Sequence, residues 1–321
     1  MGKKKRGTAS LTTARIEDVP LREVSGICLW RGPGGVLQVV AIGDRAAVGA
    51  WATVPDDANG PVIWETARLT GLAGTWLPAD SSQTEAICAD GAGRVLLLQE
   101  SPARVELVDP AAGRVVVSID GEIPADHPLA DSWADPAGSR GEGAVFLSNG
   151  HLLIDKEKDP SAFIEFGPAG EPAAGVRAAG AAKGPALATG AAWPVEPGRR
   201  TFVLLAAGEP SRRLAGTCKD LSDLEVGPDG RFYVLSDQSA SVARLADLDP
   251  ADPVARSEAT WEFPYLDGKP EGLAFTPGGR AIVALDTRKA RRNLVLLDPA
   301  IAAPAERKGP GAARPTKQGR L

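Results

Sequence analysis

The stretch PEGLAFTPGGRAIVALDT at residues 270–287 decides the fold, because three further segments repeat its plan without a gap. The other copies are TEAICADGAGRVLLLQES (84–101), GEGAVFLSNGHLLIDKEK (141–158) and LSDLEVGPDGRFYVLSDQ (221–238). In each copy a short apolar strand leads into a Gly-containing turn, and a second apolar strand then closes on an acid. This repetition predicts that one β-hairpin is built four times.

Each of these units also carries a polar residue near its start and an acid at its end. The opening residues are Glu85, Glu142, Ser222 and Glu271, and the closing acids are Glu100, Glu157, Asp237 and Asp286. The separation between the two is 15 residues in all four copies. The sequence therefore predicts two sets of side chains that recur once per structural unit.

Two further segments extend the repeat. VSGICLWRGPGGVLQVVAIGD (24–44) is a fifth unit with a longer turn, and it closes on Asp44. TGAAWPVEPGRRTFVLLAAGE (189–209) is a weaker sixth unit. The second strands are continuous apolar runs, which suits strands covered on both faces by stacked sheets. We therefore predict an all-β fold, a β-propeller of six blades, with residues 11–19 pairing with the last blade to close the ring.

The distribution of charge separates the ends of the chain from its body. The net charge is −5, yet residues 1–15 and 307–321 each hold five cations, so the body carries about −15. We predict basic disordered tails at 1–15 and 306–321 around a single propeller domain at 16–305. An acidic body repels phosphate backbones, so no nucleic-acid partner is expected.

The cysteines and the apolar segments exclude several classes of protein. Cys28, Cys88 and Cys218 show no metal-ligand spacing, and their odd number gives no disulfide framework. The first two follow apolar residues in repeat strands, which predicts buried positions. No signal peptide or membrane-length apolar run is visible, so we expect a cytoplasmic monomer without a membrane partner.

Several of these segments resemble a known family. GEGAVFLSNGHLLIDKEKDPSAFIEF (141–166), DLSDLEVGPDGRFYVLSDQS (220–239) and KPEGLAF (269–275) are similar to blades of the SdiA-regulated family. The resemblance covers roughly residues 20–300, and it implies a six-bladed propeller with a calcium site. The more general pattern is shared with esterase-like phytases, gluconolactonases and paraoxonase-type proteins. The SdiA-regulated family has no settled activity, so the resemblance assigns none here.

The recurring acids are the first candidate for chemistry. Equivalent residues of a propeller converge on its central channel. Converging carboxylates repel one another unless a cation lies among them, and Ca²⁺ takes oxygen ligands of this kind. The candidate metal ligands are Glu85, Glu142, Glu271, Asp44, Glu100, Glu157, Asp237 and Asp286. The alternative is that each acid forms a hydrogen bond to a neighbouring blade and only stabilises the fold.

Cations beside the closing acids and one histidine are the other candidates. Lys156, Lys158, Arg288 and Lys289 follow or flank closing acids, so they could bind a small anionic molecule at one mouth. The alternative is a solvated charged loop. His127 lies in an acidic loop between blades and is the candidate general base, while His151 opens a repeat strand and reads as structural. The chain has no G-x-S-x-G nucleophile motif.

These observations leave two classes of function open, because a propeller fold by itself does not define an activity. The first is a propeller that binds a small ligand or a protein on one face, with a central Ca²⁺ site. The second is a Ca²⁺-dependent hydrolase of esterase, lactonase or phytase-like phosphoesterase type, which acts at the channel mouth. Whether the chain is an enzyme is left open by the sequence.

Overall fold

A computed structural model gives the fold, and it describes residues 9–32, 35–44, 48–54, 62–68, 83–100, 104–135, 140–175, 191–252 and 254–303. The chain enters through β1 (Ala9–Ser10) and β2 (Thr12–Glu17). The first blade is an antiparallel sheet of β3 (Val24–Arg31), β4 (Leu37–Gly43), β5 (Val48–Thr53) and β6 (Trp64–Arg68). The second contains β7 (Thr84–Ala89), β8 (Val95–Gln99), β9 (Arg104–Asp109) and β10 (Arg114–Glu122).

Three further blades follow the same order of strands. The third contains β11 (Gly143–Phe146), β12 (Leu152–Lys156), β13 (Ala162–Gly167) and β14 (Gly198–Pro210). The fourth contains β15 (Asp223–Val226), β16 (Phe232–Ser236), β17 (Ser241–Leu245) and β19 (Ser257–Glu262), with β18 (Val254–Ala255) pairing instead with β14. The fifth contains β20 (Lys269–Phe275), β21 (Ala281–Asp286) and β22 (Leu294–Asp298), and β2 completes it.

The innermost strands of these blades form a closed ring. Strands β3, β7, β11, β15 and β20 contact one another in that order, and β20 returns to β3. Small residues at one repeat position allow this approach: a Cβ on Gly143 would lie 2.2 Å from the amide nitrogen of Leu224, and one on Gly272 would lie 3.0 Å from that of Ile27. The chain is therefore a β-propeller, and its described strands form five blades.

The predicted sixth unit, residues 189–209, does not form a blade of its own. Its second half is β14, the outermost strand of the third blade, which pairs with β13 and runs parallel to β10 of the second blade. The third blade needs this strand, because residues 141–167 supply only three. The few residues left before the fourth blade cannot make another sheet.

The local predictions for the hairpins are confirmed. Strands β8, β12 and β16 are buried along their whole length, as expected for strands covered on both faces. The turns of all five hairpins contain a glycine at positive φ, which lies between +76° and +90° at Gly35, Gly93, Gly150, Gly230 and Gly279. The left-handed conformation at this one repeat position is the reason that each turn has glycine there.

The ring closes between the two ends of the chain, as predicted for residues 11–19. Strand β2 pairs with β22 from Thr12↔Asp298 to Glu17↔Leu294. The side chain of Asn293 adds a second link, because its Oδ1 accepts the N–H of Val19 at 2.7 Å and its Nδ2 donates to the carbonyls of Val19 and Leu21.

The predicted boundaries of the domain change slightly. Residues 9–15, assigned to the basic tail, lie in β1 and β2, whereas residues 1–8 and 304–321 lie outside the described residues. Cys28 and Cys88 are buried, as expected. The two helices of the described chain, α1 (Ala130–Ala134) and α2 (Arg212–Thr217), connect blades, and within that part of the chain no helix is long and apolar enough to cross a membrane.

Candidate functional site

Antiparallel pairing brings the predicted acids to one face of the propeller. Lys269 at the start of β20 pairs with Asp286 at the end of β21, and Thr84 pairs with Gln99 in the same way. The opening residue of an innermost strand therefore lies beside the closing residue of the next strand. The 15-residue separation found in the sequence is the length of one hairpin measured from this face.

A β-bulge aims the opening side chains. The register shifts at Ser25 in the first blade, at Glu85 in the second and at Glu271 in the fifth. A bulge inserts one extra residue and redirects its side chain away from the regular alternation of the strand. These side chains consequently face the channel instead of the space between two blades, and the repeat of the bulge explains the repeat of the acid.

The acidic mouth is the cavity at this end of the channel, with a volume of about 220 Å³. Carboxylates dominate its lining: Glu23, Asp44, Glu85, Glu142, Glu157, Glu271 and Asp286. Two ammonium groups, of Lys158 and Lys269, and the side chain of Ser25 accompany them. Six of the eight predicted acids thus converge on one cavity.

Burial and mutual repulsion make these acids hard to ionise. Burial raises the pKa values of Glu85 and Glu142 well above the usual range, and neighbouring carboxylates, first Asp44 for Glu85 and Glu85 for Glu142, raise them further. Burial also raises the pKa of Glu271 to about 7, although Lys269 opposes the shift. Such shifts are typical of like charges that share a poorly hydrated site.

The other two predicted acids lie near the mouth but outside its lining. Burial raises the pKa of Glu100, and the Arg140 backbone and side chain lower it. The Oε1 of Glu100 accepts the Arg140 N–H at 3.2 Å, so this residue forms the link to the next blade that was the alternative to a metal ligand. Burial, together with the charge of Asp220, raises the pKa of Asp237.

The opening acids differ from Glu100 in their hydrogen bonding. Lys269 donates to Glu271 at 3.0 Å, and Lys158 pairs with Glu157 at 2.6 Å. For the carboxylates of Glu85 and Glu142 the described chain offers no hydrogen bond or ion pair. These two acids therefore face the cavity without a partner that explains their position as a structural link.

The predicted cationic residues separate into different environments. Lys158 lines the acidic mouth, but Lys156 is buried and donates to the backbone carbonyl of Lys158. Arg288 and Lys289 are exposed in the loop after β21 and lie outside the lining. The expected anion site on four cations is therefore not assembled here, because Lys156 is needed within the fold.

The two histidines also lie away from the mouth. The Nδ1 of His127 accepts the Leu129 N–H at 3.2 Å at the turn before α1, and the residue does not line the acidic mouth. Its prediction as a general base is therefore not supported by its position. His151 is buried between Glu165 and Glu171, with nitrogen–oxygen distances of 2.6 Å and 2.9 Å, in agreement with a structural role.

Sequence reasoning missed Glu23 and Lys269. Both precede an innermost strand, in the segments that lead into the first and fifth blades. Lys269 has the clearer signal, since it lies two residues before the opening Glu271, where a side chain of the same strand returns to the same side.

A fit of the acids to Ca²⁺ gives a divided answer. Carboxylate oxygens are the ligands that this ion prefers. Yet nowhere in the described ranges do three or more His, Cys, Asp or Glu side chains come together as a group that could hold a metal ion. The lining thus has the right donors for a hard cation without a ready-made shell of ligands, and two ammonium groups compete for the same carboxylates.

No family model and no curated protein matches the chain. Among solved structures, the glutaminyl cyclase of Myxococcus xanthus shows 12% identity and a TM-score of 0.49, over 91% of this chain and 98% of that one. A gluconolactonase of Xanthomonas campestris shows 13% identity and a TM-score of 0.42, with coverage of 93% and 90%. At these values the likenesses carry no conclusion about activity, and the fold is defined by the strand pairing above.

Proposed function

We propose that this protein is a binding propeller whose acidic mouth holds a cationic ligand. The observation that carries the proposal is the lining itself, in which seven carboxylates and two ammonium groups surround about 220 Å³. Each raised pKa in this cavity records an unfavourable interaction that a bound cation would relieve. A directly bound anion, the alternative considered from the sequence, would meet the same carboxylates and be repelled.

The size and spacing of the site favour an organic cation with more than one amino group. Such a ligand carries its charges several ångströms apart, so it does not require three carboxylates at one point. It can contact Glu85, Glu142 and Glu271 from different blades along one cavity. Ca²⁺ is the competing candidate, and it would require the side chains to close around it or water to complete its shell.

Thermal unfolding with different cations tests the proposal and separates its two versions. Spermidine, putrescine, Ca²⁺ and Mg²⁺ are added to protein that was treated with chelator and dialysed at pH 8. A rise in melting temperature with spermidine that exceeds the rise with equimolar Ca²⁺ supports the organic ligand, and the reverse order supports the metal. No rise with any of them would overturn cation binding at this mouth.

Paired variants locate the effect. Glu85→Gln with Glu142→Gln removes two charges that have no partner in the described structure, so the cation-induced rise should disappear. Glu196→Gln is the matched control, because this acid is exposed and lies outside the lining of the acidic mouth. A control that loses the effect as strongly as the double variant would show that the cation responds to net charge and not to this cavity.

A hydrolase is the second candidate, and one observation favours it. Glu271 lines an open cavity with a pKa of about 7, which suits proton transfer near neutral pH. If the protein is such an enzyme, a carboxylic ester, lactone or phosphoester should be hydrolysed, with a rate that Glu271→Gln lowers at least a hundredfold. An absence of turnover on all three substrate classes, with and without Ca²⁺, would leave the binding function alone.

A further inference from the structure

A second cavity lies at the opposite end of the channel and is larger, at about 430 Å³. Every blade contributes to it near the turn of its first hairpin, with residues such as Leu37, Ala89, Phe146, Pro228 and Pro277. Apart from a few polar groups, its walls are aliphatic, aromatic and backbone atoms. A concave site of this volume and composition is typical of small-molecule pockets.

The polar groups of this turn-side cavity are few, and most of them are already bonded. The Asp90 carboxylate accepts hydrogen bonds from Arg94, at 2.5 Å and 2.7 Å, and from the N–H of Trp193 at 3.0 Å. Arg31 donates to the carbonyl of Gly35 at 2.6 Å. Neither side chain is left to bind a ligand without breaking the contacts that hold its hairpin.

Glu225 is the exception. It occupies, on β15, the repeat position that holds Cys28, Cys88 and Val145 in other blades, so a carboxyl group replaces a small apolar side chain. One of its oxygens accepts the N–H of Val226 at 2.7 Å, and the described residues provide no partner for the other. Burial raises its pKa to about 8. The cavity therefore contains one carboxyl group with free hydrogen-bonding capacity.

The two cysteines of the lining do not supply an alternative chemistry. Burial raises the pKa values of Cys28 and Cys88 well above the usual range, so both are thiols at neutral pH. They form no group with Glu225 that could hold a metal ion in the described structure. Their role in the cavity is that of small apolar side chains, which keep its wall thin beside Glu225.

We propose that the turn-side cavity binds a small, largely apolar amine, whose body packs against the channel wall and whose ammonium group contacts the free oxygen of Glu225. The apolar walls favour the body of such a molecule, and the carboxylate selects the ammonium over a carboxylate of the same size. This site is separate from the acidic mouth, and it needs no contribution from the acids there.

Calorimetric titration with three matched probes tests this selection. Phenethylamine, 2-phenylethanol and 3-phenylpropionate share a phenyl body and differ in the terminal group. At pH 8.5, phenethylamine should bind at least tenfold more tightly than 3-phenylpropionate, and Glu225→Gln should remove most of that preference. Equal affinities for the amine and the acid, or an unchanged preference in the variant, would overturn the proposal.

Cysteine protection locates the probe. Methyl methanethiosulfonate modifies accessible thiols, and mass spectrometry of peptides gives the rate at each cysteine. Phenethylamine should slow modification of Cys88 and Cys28, whereas Cys218, which is buried elsewhere against Ser241, serves as the control. Equal slowing at all three would show general stabilisation and contradict binding in this cavity. If none of them reacts, the calorimetry decides.

Two variants separate this site from the acidic mouth and guard against misfolding. Glu85→Gln with Glu142→Gln should leave the binding of phenethylamine unchanged, and loss of binding in that variant would place the amine at the other end of the channel. Ala89→Phe fills the turn-side cavity without changing a charge, so it should abolish binding of all three probes. Continued binding to a folded Ala89→Phe protein would contradict the site.

Discussion

The ammonium group of Lys269 lies 3.0 Å from Oε1 of Glu271, at the entrance of the innermost strand of the fifth blade. Of the three opening glutamates, Glu271 is the one for which the described residues include a cationic partner. The pKa of the Lys269 ammonium is raised, chiefly by the charge of Glu271. The protein thus places one internal cation where the proposed ligand would have its own positive charge.

Replacing that internal cation should improve binding of an external one. Lys269→Gln removes a positive charge from the lining, so we expect the affinity for spermidine at pH 8.5 to rise about tenfold, or about 1.4 kcal/mol. The alkaline pH keeps Glu271 ionised after it has lost its partner. Titration calorimetry measures the change. Arg114→Gln, which removes an exposed cation outside the lining, should leave the affinity unchanged, and a weaker affinity in Lys269→Gln would contradict the account.

The stability of the ligand-free protein should fall as pH rises. Folding raises the pKa of Glu271 to about 7, and it raises those of Glu85 and Glu142 as well, so the native state binds more protons than the unfolded chain. The stabilising effect of these protons is complete below the unfolded pKa of about 4.3 and is lost as pH rises through the folded values. For Glu271 the shift corresponds to roughly 3 kcal/mol as an upper limit.

Urea unfolding at pH 5.5 and pH 8.5, in the absence of multivalent cations, measures this effect. The free energy of unfolding should be lower at pH 8.5, and Glu85→Gln with Glu142→Gln should reduce the difference. Saturating spermidine should also reduce it, because the ligand replaces the protons. A ligand-free protein that becomes more stable with rising pH would show that these acids are not strained in the native state.

The contact between the fourth and fifth blades should depend on Asp223. Its Oδ2 accepts the N–H of Leu273 at 2.6 Å, at the repeat position where Gly26, Gly143 and Gly272 approach the next blade directly. Asp223→Ala leaves a buried N–H without an acceptor, which should cost about 2 kcal/mol of unfolding free energy. Asp223→Asn keeps an acceptor and should cost less. Equal losses in the two variants would argue against the hydrogen bond.

Closure of the ring should depend on Asn293, which links the segment before the first blade to the last blade. Asn293→Leu keeps the volume but removes three hydrogen bonds to Val19 and Leu21, so we expect a loss of about 3 kcal/mol, measured by urea unfolding. Thr12→Val removes one exposed hydrogen bond from the same pair of chain ends and should change stability by less than about 1 kcal/mol. A neutral Asn293→Leu variant would contradict this role.

The sequence predicts the hairpins well because their causes are local. A turn glycine, two apolar strands and a fixed spacing all lie within 18 residues, so the pattern determines the structure of each unit. The convergence of the acids could be predicted as well, since it follows from repeating one hairpin around an axis. The identity of what they bind is not contained in that pattern.

The parts that could not be predicted depend on distant residues. The pairing of β10 with β14 joins segments about 80 residues apart, and it gives the 198–210 segment to the third blade instead of a sixth. Lys156 resembles a surface cation in the sequence, but the turn after it folds back so that its ammonium meets a backbone carbonyl. Glu23 enters the lining because ring closure places its segment beside β21.

Titration calorimetry of spermidine, at pH 8 and low salt, into the wild-type protein and into Glu85→Gln with Glu142→Gln tests the central claim most directly. The account predicts saturable binding to the wild type that weakens with ionic strength, as expected for a partly exposed charged site. It also predicts at least tenfold weaker binding to the double variant, with Glu196→Gln unchanged. Equal affinity in all three proteins, or no binding to the wild type by spermidine or Ca²⁺, would contradict it.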